Sequence, residues 1–69
     1  MPLTMANLGE QFLIKKINGN EEARRFLENI GFVAGVQVSV VSKIGGNLIV
    51  QILDSRVAIS REMAQKIIV

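Results

Sequence analysis

The residues of this chain best suited to recognising another molecule are two adjacent arginines, Arg24 and Arg25. A guanidinium group is permanently charged, and its planar fork of donors matches a carboxylate, so the pair can grip an acidic partner surface. Alternatively, the two arginines form ion pairs with glutamates of their own helix. Glu21 lies four residues before Arg25 and Glu28 four residues after Arg24, a spacing at which helical ion pairs contribute about 0.3–0.5 kcal/mol. The sequence leaves both interpretations open.

Catalysis and metal binding have little support among the side chains present. The chain contains no histidine and no cysteine, which removes the commonest general base and the commonest ligands of transition metals. Gly45-Gly46 lacks the spacing, the lysine and the hydroxyl residue of a phosphate-binding loop. We therefore expect no enzyme activity, no resident metal and no cofactor. The carboxylates that would have to serve as iron ligands do not form a cluster in the sequence. They are Glu21, Glu22, Glu28, Asp54 and Glu62.

A short helix is predicted to carry the two arginines. Four apolar residues have the i, i+3, i+4, i+7 spacing of a helix that buries one face: Ala23, Phe26, Leu27 and Ile30. Asn20 is suited to cap its first turn, and Gly31 to end it in a left-handed conformation. We expect the helix over residues 21–30, with Asn29 included beside the arginines as a candidate partner contact.

After Gly35 the apolar residues change from helical spacing to strict alternation, which predicts a β-hairpin. The alternating residues are Val36, Val38 and Val40 before Gly45-Gly46, and Leu48, Val50 and Ile52 after it. A slip of one residue would turn every side chain to the opposite face, so we expect Val40 opposite Val50 and Val38 opposite Ile52. A regular ladder in this register requires a three-residue loop, Ile44-Gly45-Gly46, with Gly46 at positive φ.

Apolar residues that this register leaves outside the core are candidates for a contact surface. Val41 and Ile49 would form a pair on the outer face of the hairpin, with Ile44 at its tip. The alternative is that the N-terminal segment, residues 1–8, covers them.

Phe32 and Val33, immediately after the helix, are further candidates for a partner contact. One of the two is expected to fold back into the core, as the apolar contact that accompanies a glycine cap. The sequence does not indicate which one.

The remaining segments complete a mainly β fold. A first strand is expected over about residues 11–17 and a short one over 56–59, with Ser60 capping a helical turn at about 61–65. Ile67-Ile68-Val69 can pair with the first strand. Together these elements predict a small barrel of about five strands, with the helix inserted between the first two strands and the helical turn before the last.

Composition narrows the class of protein further. The 69 residues suffice for a single domain, 1–69, and the longest apolar runs are far shorter than the roughly 20 residues that span a bilayer. No signal peptide is evident, so we expect a cytoplasmic protein that does not insert into membranes. A net charge of +2, scattered, gives no basic stripe for nucleic acid. The 49% apolar content is compatible with a homo-oligomer.

Three segments together resemble the FeoA family. Ala23-Arg-Arg-Phe-Leu-Glu-Asn-Ile-Gly-Phe-Val-Ala-Gly35 resembles that family's helix and following turn, although Ala34 stands where members often carry proline. Ile44-Gly-Gly-Asn-Leu-Ile-Val50 is similar to its Gly-Gly hairpin, and Ser55–Val69 is similar to its closing segment. The resemblance extends from about Leu3 to Val69.

The resemblance implies an SH3-like barrel and a small cytosolic accessory protein of bacterial ferrous iron uptake. Such a protein is expected to contact the cytosolic GTPase portion of the FeoB transporter. Nucleic-acid binding and iron sensing by a small β-barrel are the alternatives. The candidate partner contacts are Arg24, Arg25, Asn29, Phe32, Val33, Val41, Ile44 and Ile49.

Overall fold

The computed structural model describes residues 1–69, and a long antiparallel hairpin forms the centre of the fold. A 3₁₀ turn at Leu3–Met5 precedes six strands and two helices. In chain order these are β1 (Phe12–Leu13), β2 (Lys16–Ile17), α1 (Glu21–Ile30), β3 (Gln37–Ile44), β4 (Asn47–Ile52), β5 (Ser55–Ser60), α2 (Arg61–Ala64) and β6 (Ile67–Ile68).

The strands form two antiparallel sheets. The larger sheet has the order β1-β3-β4-β5, and β2 pairs with β6 in the smaller one. The mainly β fold predicted from the sequence is confirmed, but the single first strand over 11–17 is wrong. At Ile14 and Lys15 the chain passes between sheets, because the Ile14 N–H donates to Val36 O (3.0 Å) and the Lys15 N–H to Ile68 O (2.7 Å).

Helix α1 has the predicted boundaries. The Asn20 side chain accepts from the Ala23 N–H at 2.8 Å, and Gly31 ends the helix at φ 125°. Its buried face is narrower than predicted: Leu27 is fully buried, whereas Phe26 is 51% exposed. Adjacent helical positions differ by about 100°, so Phe26 points to the side of the buried stripe.

The hairpin confirms the predicted register and corrects the predicted loop. Val38 pairs with Ile52 and Val40 with Val50, but beyond them Ser42 pairs with Ile49. Val41 is therefore an unpaired bulge residue, and this extra residue lets the ladder end in a two-residue Gly45-Gly46 turn. Positive φ falls on Gly45 (59°) rather than on Gly46.

The core lies between the two sheets, the N-terminal turn and the ends of the helices. The Ser60 hydroxyl caps α2 as predicted, accepting from the Met63 N–H at 3.2 Å. Ser39 is the one buried polar residue. The buried apolar residues are Leu3, Ala6, Ile14, Leu27, Phe32, Val38, Val40, Leu48, Val50, Ile52, Ile59, Ala64, Ile67 and Val69.

Deleting Val41 should leave the hairpin register unchanged. Without the bulge residue, Val40 and Ser42 become consecutive opposite Val50 and Ile49, which is a regular ladder. Deleting the paired Ser39 instead should shift the register or prevent folding. Cross-strand methyl NOEs between Val40 and Val50 distinguish these cases, and their loss in the Val41-deleted chain would contradict the bulge assignment.

Phe32→Ala should lower the free energy of unfolding by about 3–5 kcal/mol, because it removes a fully buried aromatic ring. Val33→Ala is the matched control: Val33 is 39% exposed, and its truncation should cost under about 1 kcal/mol. Urea unfolding of the two variants measures the difference. Equal losses would show that Phe32 is not the core residue of the pair.

Candidate partner-binding surfaces

The structure separates the eight candidate residues into two surfaces and the core. The helix surface comprises Arg24, Arg25, Asn29 and Val33, and the hairpin patch comprises Val41, Ile44 and Ile49 together with Ala58. The C-terminal end of α1 lies at the far end of β4, since a Cβ added at Gly31 would be 3.7 Å from Ile52 Cδ1. Ile44 lies opposite the first residue of β4, Asn47. At about 3.3 Å per residue, roughly 17 Å of strand separates Ile44, at the tip of the hairpin, from the end of α1.

On the helix surface, one of the two predicted ion pairs forms. The Arg25 guanidinium contacts the Glu21 carboxylate at 2.7 Å, with the side chains 68% and 82% exposed. At that exposure the pair contributes little to stability. The predicted pair between Arg24 and Glu28 is absent, because no carboxylate lies within 4 Å of Arg24. Arg24 therefore keeps its guanidinium available to a partner.

The groove along the helix surface carries charges of both signs. Phe26 is its one apolar lining residue, and two carboxylates accompany Arg25. The lining residues are Asn20, Glu21, Glu22, Arg25, Phe26 and Asn29. This mixture does not favour an acidic partner over a basic one.

Phe32 is not a surface residue. It is fully buried, and its N–H donates to Leu27 O at 3.0 Å as the chain folds back under the helix end. The prediction of Phe32 as a partner contact is therefore wrong. Of the two residues after the helix, Val33 is the exposed one.

The hairpin patch lies on the outward face of the larger sheet. Ile49 alternates with the buried Leu48 and Val50, so its side chain points away from the core, and it pairs with Ser42 and Ala58. Ile44, two positions beyond Ser42, is 65% exposed. Val41 is 36% exposed at the bulge. Ile44 and the half-buried Ile49 therefore place apolar side chains on the outer face of the paired strands, and Val41 adds a partly exposed one at the bulge.

The N-terminal segment does not cover Ile44. Its Leu3 and Ala6 enter the core, and it contacts β3 through a hydrogen bond from Lys43 Nζ to Thr4 O (3.1 Å). Leu8 forms a bridge with Val40 at the edge of the sheet. Ile44 therefore remains solvent-exposed.

Leu53 is an exposed apolar residue that the sequence analysis missed. It is 69% exposed and adopts φ 53°, a left-handed conformation that costs a leucine about 1–2 kcal/mol. Together with Asp54 it forms the two-residue turn between β4 and β5. The sequence did contain a signal for this exposed residue. Leu53 directly follows Ile52, at a position where the alternation of the strand predicts an outward-facing polar side chain.

Neither a cluster of metal-ligating side chains nor a membrane-spanning helix is found. No group of three or more histidine, cysteine, aspartate or glutamate side chains is placed to hold a metal ion. Neither helix has the length and apolar character needed to cross a membrane.

Comparison with known proteins gives a consistent result. The family model of the FeoA domain matches residues 1–69. A protein of Methanocaldococcus jannaschii named "Putative Fe(2+) transport protein A" is 34% identical over 68 residues, which cover 99% of this chain and 83% of the relative.

Solved structures show the same fold. FeoA of Stenotrophomonas maltophilia complexed with zinc, described as a procaryotic SH3 domain protein, superimposes with a TM-score of 0.86 at 27% identity, covering 99% of this chain and 87% of that one. An iron uptake regulatory protein, also FeoA, gives a TM-score of 0.88 at 24% identity, covering 97% and 91%. With the family model matching from the first residue to the last and a relative above 30% identity, this chain belongs to the FeoA family.

Proposed function

We propose that this chain is a cytoplasmic accessory protein of ferrous iron uptake that docks on the cytosolic GTPase portion of an FeoB-type transporter. The match of the FeoA family model to residues 1–69 is the observation that carries the proposal. The M. jannaschii relative is named for Fe(2+) transport, and the S. maltophilia protein has been suggested as a ferrous iron transport activating factor. An accessory role of this kind requires a contact surface, not a catalytic centre.

The hairpin patch is the surface we propose for this contact. Its residues are apolar, and Ile44 exposes most of its side chain without cover from the N-terminal segment. A partner that buries Ile44 gains the hydrophobic free energy of a central anchor residue. Because β3 and β4 are already paired, little conformational entropy is lost on binding.

Nucleic-acid binding is less well supported. The three aromatic residues do not form a stacking surface, since Phe32 is buried, Phe12 is half-buried in β1 and Phe26 is exposed on the helix. The net charge is only +2. An affinity for nucleic acid that falls steeply with salt would be the signature of that alternative.

Ile44→Asp should weaken binding to the purified cytosolic domain of the transporter by about tenfold or more, since anchor residues of interfaces contribute about 2 kcal/mol or more. Because Ile44 is exposed, the free energy of unfolding should stay within about 0.5 kcal/mol of the parent. Calorimetric titration of the parent and the variant measures the change. Leu13→Asp, at a 56% exposed position outside the patch, is the matched control and should bind as the parent does.

The same titration with Val33→Asp separates the two surfaces. A loss of affinity in Val33→Asp but not in Ile44→Asp would move the contact to the helix surface and overturn the assignment of the hairpin patch. Absence of any binding by the parent chain, together with unchanged ferrous uptake in cells that lack it, would overturn the proposed function itself.

A further inference from the structure

A cavity of about 160 Å³ lies where the N-terminal segment, the hairpin tip and the start of α2 meet. Two of its six lining residues are cationic and none is acidic, and Leu48 is the one apolar member. The lining residues are Thr4, Lys43, Gly45, Gly46, Leu48 and Arg61. None of them belongs to the hairpin patch or to the helix surface.

Both cations in this cavity lack an acidic partner. The pair formed by Arg25 and Glu21 is the only ion pair in the protein, so no carboxylate lies within 4 Å of Lys43 or Arg61. Lys43 Nζ donates one hydrogen bond, to Thr4 O at 3.1 Å, and an ammonium has two further donors. The Arg61 guanidinium is not engaged by any side chain or carbonyl of the protein.

Backbone donors accompany the two cations. The N–H groups of Gly45 and Gly46 donate to no carbonyl of the protein, although Gly46 O accepts from the Arg61 N–H at 2.9 Å and so fixes the turn against α2. A Cβ at either glycine would meet no atom within 4 Å. The space beside the turn is therefore open, and backbone amides at such glycine turns can form anion-binding concavities.

We propose that this cavity binds a single phosphate group. A tetrahedral oxyanion presents only acceptors, and the cavity offers ammonium, guanidinium, hydroxyl and amide donors with no competing carboxylate. The volume is well below the roughly 300–1,000 Å³ of pockets for drug-sized ligands, which favours one phosphate group over a nucleotide. The proposal is independent of docking on a transporter.

Titration of ¹⁵N-labelled protein with inorganic phosphate, followed by amide shifts, tests the proposal. The Gly45 and Gly46 resonances should move along a saturable curve, whereas potassium chloride at matched ionic strength should not reproduce the movement. Glycerol 3-phosphate is titrated in parallel. Binding tighter than that of inorganic phosphate identifies a phosphate ester as the source of the group, and weaker binding identifies free phosphate.

Arg61→Gln is the decisive variant, because the Arg61 side chain supports no other contact that its loss would break. It should weaken phosphate binding about tenfold or more, as expected for the loss of a charge-assisted hydrogen bond. Lys16→Gln, an exposed cation of β2 in the other sheet, is the matched control and should leave the affinity unchanged. Shifts that grow linearly with phosphate, equal shifts with chloride, or an unchanged affinity in Arg61→Gln would each overturn the site.

Discussion

The fold is built around one strand register, in which Val38 pairs with Ile52 and Val40 with Val50. All four side chains are buried, and a strand that buries one face must direct its intervening residues outward. The same register that closes the core therefore turns the half-buried Ile49 away from it. Because the bulge adds one residue to β3, the hairpin keeps both the register that buries these four side chains and a two-residue glycine turn at its tip.

The features that local chemistry determines could be predicted from the sequence. Asn20 and Gly31 predict the two ends of the helix, because Asn20 can accept from an unpaired backbone N–H of the first turn and Gly31 can adopt the left-handed conformation that ends the last turn. The alternation of apolar residues predicts the hairpin register. The bulge at Val41 gave no signal, because a β-branched residue inside a strand looks like any paired neighbour. The break at Ile14 also escaped prediction, since it depends on hydrogen bonds to segments far along the chain.

The candidate surfaces were only partly predictable, because exposure depends on which distant segments pack together. Adjacent residues such as Phe32 and Val33 have opposite environments, which the geometry of the glycine cap decides. The cationic cavity is a stronger example: Thr4, Lys43 and Arg61 come from three segments of the chain, and no spacing motif connects them. A helix with one fully buried residue likewise looks amphipathic in sequence and is nearly all surface in the structure.

The surface proposed to dock on the transporter is the outward face of the central hairpin. Mapping backbone amide shifts of the labelled chain on addition of the transporter's cytosolic domain tests this most directly. We predict perturbations centred on Ile44, Ile49 and Ala58, with little change around Val33 and the α1 face. Perturbations confined to α1 and Val33, or none at saturating partner, would contradict the account.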